Sequence, residues 1–247
     1  MSKIIFEEFD WTRVYGVFFI QSIVIGFFCF LLIKVLKKSK NQLNQTLSKF
    51  YICLILAFSL NFIYYPSQNG IVVYVLHLSG SFFIALGYTF LLLFIIKLKN
   101  FNRKRKTIQY LIYVYVLIAL LLLINPQNVY INADFRPQYS WFFLFNIYLV
   151  FTVLISIPSL VFSISIYRSF EDKYLKKQFL SFLLGICGFF IAWYGIVLYN
   201  TWDNSYFRAI WSVCSLIVIP SGLLIYYGVG TQISMSVKDQ VTIGKEK

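Results

Sequence analysis

Within the apolar stretches of this 247-residue chain, the groups best equipped to recognise another molecule are Gln21, Asn61, His77, Asn146, Tyr199 and Trp202. At about 1.5 Å of rise per helical residue, Gln21, Asn61, His77 and Asn146 each lie roughly 7 to 11 Å below the same end of their helices. They form one polar layer. Amide and imidazole groups cannot face lipid unpaired, so all four point into the bundle. Two arrangements satisfy them: hydrogen bonds between helices, each contributing about 0.6 kcal/mol, or the wall of a pocket that opens at that end. Asn61 and His77 lie nearly symmetrically about Pro66-Ser67-Gln68-Asn69-Gly70. This symmetry predicts that they meet across adjacent helices, directly or through a water. For His77 the alternatives are a hydrogen-bonded structural histidine and a ligand-binding or pH-sensing group.

Tyr199 and Trp202 close a second pattern. Gly185, Gly188, Ala192, Gly195, Tyr199 and Trp202 follow a 3,4,3,4,3 spacing and share one helix face. Its small residues permit close backbone approach. Its large aromatics hold helices apart or line a cavity at the other end, although an interfacial aromatic belt accounts for Trp202 equally well.

Other chemistries lack their parts. The single histidine has no partners for a Ser/His/Asp or Cys/His constellation, so the chain reads as a non-enzyme. Cys29, Cys53, Cys187 and Cys214 all fall inside apolar stretches and match no metal spacing; they read as packing residues, and no metal or cofactor is expected. Apart from His77 no ionisable group sits in a span, which disfavours a proton pump or a carboxylate-coupled transporter. The last stretch has no lysine for a retinal Schiff base, and Gly87-Tyr88-Thr89 is not a potassium-filter sequence.

These residues are carried by seven uncharged runs: Val14 to Ile33, Phe50 to Tyr65, Ile71 to Ile96, Ile108 to Ile124, Ser140 to Tyr167, Gln178 to Trp202 and Ala209 to Val229. Each approximates the ~17 to 25 residues that cross a bilayer. Phe50 to Ile96 is too long for one span, and Pro66 to Gly70 divides it into a helical hairpin. The expected fold is an all-α integral membrane seven-helix bundle over residues 1–230, followed by a short polar cytoplasmic tail, 231–247. No basic region precedes the first run and no small-residue cleavage site follows it, so it is expected to stay as a helix. Of the 22 basic residues, all but Lys3, Arg13, Arg136 and Arg208 fall in the gaps on one side. The positive-inside rule then places the N-terminus outside and the C-terminus in the cytoplasm. The net charge of +13 is therefore assigned to anionic lipid headgroups at the inner loops and not to nucleic acid. The expected location is the cell membrane, as a multi-pass protein.

Pro158 and Pro220 each remove a backbone donor within a span, predicting kinks that free the carbonyls of Leu154 and Leu216. Thr152, Ser156, Ser159 and Ser163 form a hydroxyl stripe around the first of them, suited to satisfying freed carbonyls and to tight packing.

The stretch from residue 141 to 230 also has a familiar arrangement. The fifth run leaves the membrane through Tyr167-Arg168, a short loop carries Glu171 and Lys176-Lys177-Gln178, the sixth holds Leu183-Leu184-Gly185, and the seventh ends in Leu223-Leu224-Ile225-Tyr226-Tyr227. This resembles the seven-transmembrane N-terminal sensor region of bacterial and archaeal histidine kinases, without a coiled linker, phosphoacceptor helix or ATP-binding domain after Gly230. The resemblance implies a sensor module whose output comes from a membrane or cytoplasmic signalling partner. With the polar layer, it leads to the expectation of a receptor-like protein that binds a small or lipidic ligand in an outward-facing pocket lined by Gln21, Asn61, His77, Asn146, Tyr199 and Trp202. A small-molecule transporter or channel, or a non-catalytic subunit of a membrane complex, is the alternative.

Overall fold

The computed structural model describes residues 15–38, 41–99, 109, 112–113, 115–116, 128–133 and 135–229. Among them, six helices are long and apolar enough to cross a membrane: α1 (Phe18–Lys38), α2 (Gln42–Tyr64), α3 (Gly70–Lys99), α4 (Trp141–Ser169), α5 (Lys173–Thr201) and α6 (Ser205–Val229). The fourth of the seven expected spans, Ile108 to Ile124, falls mostly outside the described residues, though Gln109, Ile112, Tyr113, Tyr115 and Val116 are helical. The tail, 231–247, lies outside them altogether.

Helix ends are set by local chemistry. Asn41, Ser140, Asp172 and Asn204 place a side-chain oxygen on a backbone N–H of the first turn of α2, α4, α5 and α6, at 2.8, 3.1, 2.7 and 3.0 Å. Pro66 to Gly70 forms the expected turn between α2 and α3, and the Asn69 Oδ1 accepts from the backbone of Ile71 at 3.0 Å. The other end of the bundle carries the lysines that close α1 and α3. These are called below the hairpin end and the lysine end.

The helical winding changes just before each in-span proline. The turn before Pro158 winds as a π-helix, Thr152–Ser156, with the Ile157 N–H donating to the Thr152 carbonyl. The turn before Pro220 tightens to 3-10, Ser215–Ile217. A β-hairpin precedes α4. β1 (Val129–Ile131) pairs antiparallel with β2 (Pro137–Tyr139), Val129 opposite Tyr139. Phe135 takes a positive φ of 54° in its turn, where Asn132 Oδ1 accepts from the Arg136 backbone at 2.8 Å.

The outside of the bundle is apolar. On α4, Phe142, Phe145, Leu149, Val153, Ile157 and Val161 recur every three or four residues and each is 50 to 67% exposed. A water-soluble helix would reverse this pattern. Polar groups are instead turned inward, as lipid requires. Two buried tyrosines tie helix to helix through backbone carbonyls: Tyr51 on α2 donates to Gly222 on α6 at 3.3 Å, and Tyr88 on α3 to Phe189 on α5 at 2.6 Å.

The small-residue face of α5 packs as its spacing predicts, and its partner is α6. A methyl group on Gly185 would stand 2.7 Å from the Ser221 carbonyl oxygen, and one on Gly188 2.0 Å from the Ser221 hydroxyl. At Gly195, a methyl would overlap the Trp211 indole at 1.7 Å. This contact holds α6 against α5 along most of its length and fixes Trp211.

Candidate functional site

At the hairpin end, α1, α2, α3, α5 and α6 enclose a cavity of about 220 Å³, with Arg136, Pro137 and Tyr139 of the β-hairpin completing its wall. Gln21, Asn61, His77 and Tyr199 all line it. Asn146 and Trp202 do not. No described residue of α4 reaches the cavity; Asn146 donates to the Phe142 carbonyl of its own helix at 2.9 Å and so needs no partner across the bundle. Trp202 sits past the end of α5, 43% exposed, and stacks on Phe207 at 5.2 Å.

The polar layer pairs differently from the expected Asn61–His77 contact. Asn61 Nδ2 donates to Gln21 Oε1 at 3.1 Å, joining α2 to α1. His77 is held at both ring nitrogens by tyrosines: Nδ1 lies 3.2 Å from the Tyr64 hydroxyl and Nε2 2.6 Å from that of Tyr139. A neutral imidazole has one donor and one acceptor nitrogen, so one tyrosine donates to the ring while the other accepts from it. Burial pushes the Tyr139 hydroxyl up to about 12, outweighing the lowering effect of hydrogen bonds with Ser81 and Asn200. It is therefore protonated at neutral pH. Tyr64, His77 and Tyr139 thus lock α2, α3 and β2 together along one wall.

A second stretch of wall belongs to α5 and α6. Arg208, in the first turn of α6, pairs through Nη1 with Asp203 at 2.7 Å, and its guanidinium stands 5.7 Å over the Tyr199 ring. Its Nε donates to the Tyr199 carbonyl at 3.4 Å. Trp211 and Trp193 also line the cavity, and their indole N–H groups are buried without an acceptor.

Below the cavity the bundle is filled with rings. Trp193 packs on Phe151 at 5.2 Å and on Tyr88 at 5.9 Å, and Tyr88 stacks on Phe190 at 5.9 Å. Toward the lysine end, hydroxyl groups turn back on their own helices: Ser48 donates to the Asn44 carbonyl at 2.8 Å and Thr89 to that of Ala85 at 2.9 Å. In the stripe on α4, Thr152 and Ser156 bond the Tyr194 hydroxyl at 2.6 and 3.0 Å, while Ser159 and Ser163 serve tight packing, buried without a hydrogen-bond partner.

Sequence reasoning missed Tyr64, Tyr139, Asn200, Trp211 and both arginines. In the sequence Arg136 and Arg208 stand out only as two of the four basic residues away from the lysine-rich side. The one available signal was Asn200, seven residues beyond Trp193 and so on the same helix face.

The apolar outer faces, inward-turned polar groups and six long apolar helices define a multi-pass helical membrane protein. No protein-family model matches the chain, and no curated protein resembles it to a significant degree.

Proposed function

We propose that this is a non-enzymatic, receptor-like seven-helix sensor with its N-terminus outside and its C-terminus in the cytoplasm. It binds a small or lipidic ligand from the outer side and signals by helix movement or through a partner. The observation that carries this reading is the cavity in which Gln21, Asn61, His77 and Tyr199 converge from four helices at the end opposite the lysines. Its walls belong to separate helices joined by side-chain hydrogen bonds, so a ligand that competes for those bonds changes how the helices sit. The aromatic floor favours a receptor over a transporter, which needs a polar path onward. The resemblance of residues 141–230 to histidine-kinase sensor regions is the ground for assigning the output to a signalling partner. Lysines stacked on rings at the other end, among them Lys38 on Tyr226 and Lys176 on Tyr167, are suited to anionic headgroups.

A ligand that binds only the native state raises its apparent melting temperature. The test is a screen of small metabolites and lipids against the purified protein in detergent, repeated on Ser215→Trp, which fills the cavity from α6. Stabilisation by a compound in the wild type and its loss in the variant supports the reading. Stabilisers that act equally on both would place binding elsewhere.

A further inference from the structure

The cavity wall is graded in polarity. α2 runs toward the hairpin end and α3 and α6 run away from it, yet all three present their polar residues nearer that end: Arg208 above Val218 on α6, His77 above Ile84 on α3, Asn61 above Ala57 on α2. Along α6 those ten residues correspond to about 15 Å of depth. Arg136 and Arg208 line the upper part, and among the described residues no aspartate or glutamate lines any part of it. Asp203 reaches Arg208 from the solvent side and is itself 72% exposed. A guanidinium has five donors, so a second acid can share it. One turn below Arg208, Trp211 adds a buried indole N–H with no acceptor.

We propose that the cavity takes a small amphiphilic acid, its anionic head at Arg208 and Arg136 and its apolar body directed down toward Ile84, Trp193 and Val218. This rests on the receptor reading and deepens it. A cavity of about 150 Å³ holds benzene, so about 220 Å³ suits a ligand on the order of ten non-hydrogen atoms. Burial of the tail supplies affinity that depends little on the head, and the arginines supply the discrimination between heads.

Sodium octanoate, 1-octanol and octylammonium chloride share one tail and differ in head. Their dissociation constants for the purified protein, read by tryptophan fluorescence and by melting temperature, test the assignment, with Ser215→Trp subtracting partition into the detergent. Octanoate is expected to bind at least about tenfold more tightly than octanol, the worth of one charged hydrogen bond, and octylammonium more weakly than either. Arg208→Gln should bring octanoate most of the way down to the level of octanol, with Arg136 keeping a remainder, while leaving octanol binding in place, which also reports that the variant is folded. Arg208→Lys should retain the preference for octanoate. If octanol binds as tightly as octanoate in the wild type, the acid assignment falls and the receptor reading stands. If none of the three shows binding that Ser215→Trp abolishes, the assignment also falls, and the wider ligand screen decides the receptor reading separately.

Discussion

The α5–α6 contact allows a graded prediction, because glycines one turn apart face different kinds of atom. At Gly185 an added methyl meets backbone, the Ser221 oxygen at 2.7 Å and the Ile225 nitrogen at 2.9 Å. Neither can move unless α6 moves. Overpacking of this sort costs about 1 to 3 kcal/mol, and the rigid neighbour argues for the upper end. Alanine recovers about 1 kcal/mol of helix propensity, so Gly185→Ala should destabilise by about 2 kcal/mol net. At Gly188 the nearest atom is the Ser221 hydroxyl, at 2.0 Å, with Cβ behind it at 3.1 Å. That hydroxyl, which donates to the Ile217 carbonyl at 2.7 Å, can rotate away at the loss of one hydrogen bond of about 1 kcal/mol. Gly188→Ala should therefore be close to neutral, and adding Ser221→Ala should relieve it further; the same second change should do nothing for Gly185→Ala. Gly26→Ala is the control, with nothing within 4 Å, and should stabilise by up to about 1 kcal/mol. Reversible unfolding in mixed micelles measures all of these. If Gly185→Ala proves as stable as Gly26→Ala, or if Ser221→Ala rescues it, the backbone contact that seats α6 against α5 is wrong.

Three further outcomes follow from the cavity wall. Gln21→Leu and Asn61→Leu should show a coupling of about 0.6 kcal/mol in a double-mutant cycle, whereas Asn61→Leu and His77→Leu should be additive; the reverse would restore the expected Asn61–His77 pair. Because the Tyr139 hydroxyl rises from its ordinary 10.0 to about 12 in the folded protein, the unfolded chain binds fewer protons above pH 10. Its contribution is complete below that pH and is lost as pH rises toward 12, so Tyr139→Phe should flatten that part of the unfolding curve against pH. Tyr199→Ala should weaken ligand-dependent stabilisation by enlarging the cavity while changing the melting temperature of the free protein little, a separation that thermal scans with and without ligand would read.

Six of the seven expected spans were legible because lipid imposes a length and excludes charge, and the turn at Pro66 to Gly70 because it combines breakers inside an uncharged run. The glycine stripe on α5 was legible as periodicity, though nothing in it named Ser221 and Trp211 as the partners. The candidate site was legible by depth alone. Counting residues from a helix end places Gln21, Asn61, His77 and Asn146 at one level, but it does not say which way each side chain turns around the axis. Asn61 therefore found Gln21, His77 found two tyrosines, and Asn146 bonded its own helix. Tyr139 and Arg136 were out of reach because a three-residue strand pair in a loop carries little periodic signal, and Arg208 because a charge at a helix start reads first as rim. Pro158 and Pro220 marked where the winding changes, without indicating π on one helix and 3-10 on the other.

The central claim is a cavity open to the outside above a closed floor, and thiol labelling from each side tests it most directly. With Cys29, Cys53, Cys187 and Cys214 replaced by alanine, a single cysteine is introduced at Ser81, on the cavity wall, or at Thr89, buried two turns deeper on the same helix. Reference cysteines at Asn132 and Asn102 report the two sides of the membrane. A small impermeant methanethiosulfonate applied to intact cells should modify Ser81→Cys and Asn132→Cys and leave Thr89→Cys and Asn102→Cys untouched. Applied to inverted vesicles it should modify Asn102→Cys alone. Modification of Thr89→Cys from either side would reveal a path through the floor and favour transport, and protection of Ser81→Cys from both sides would contradict an outward-facing site.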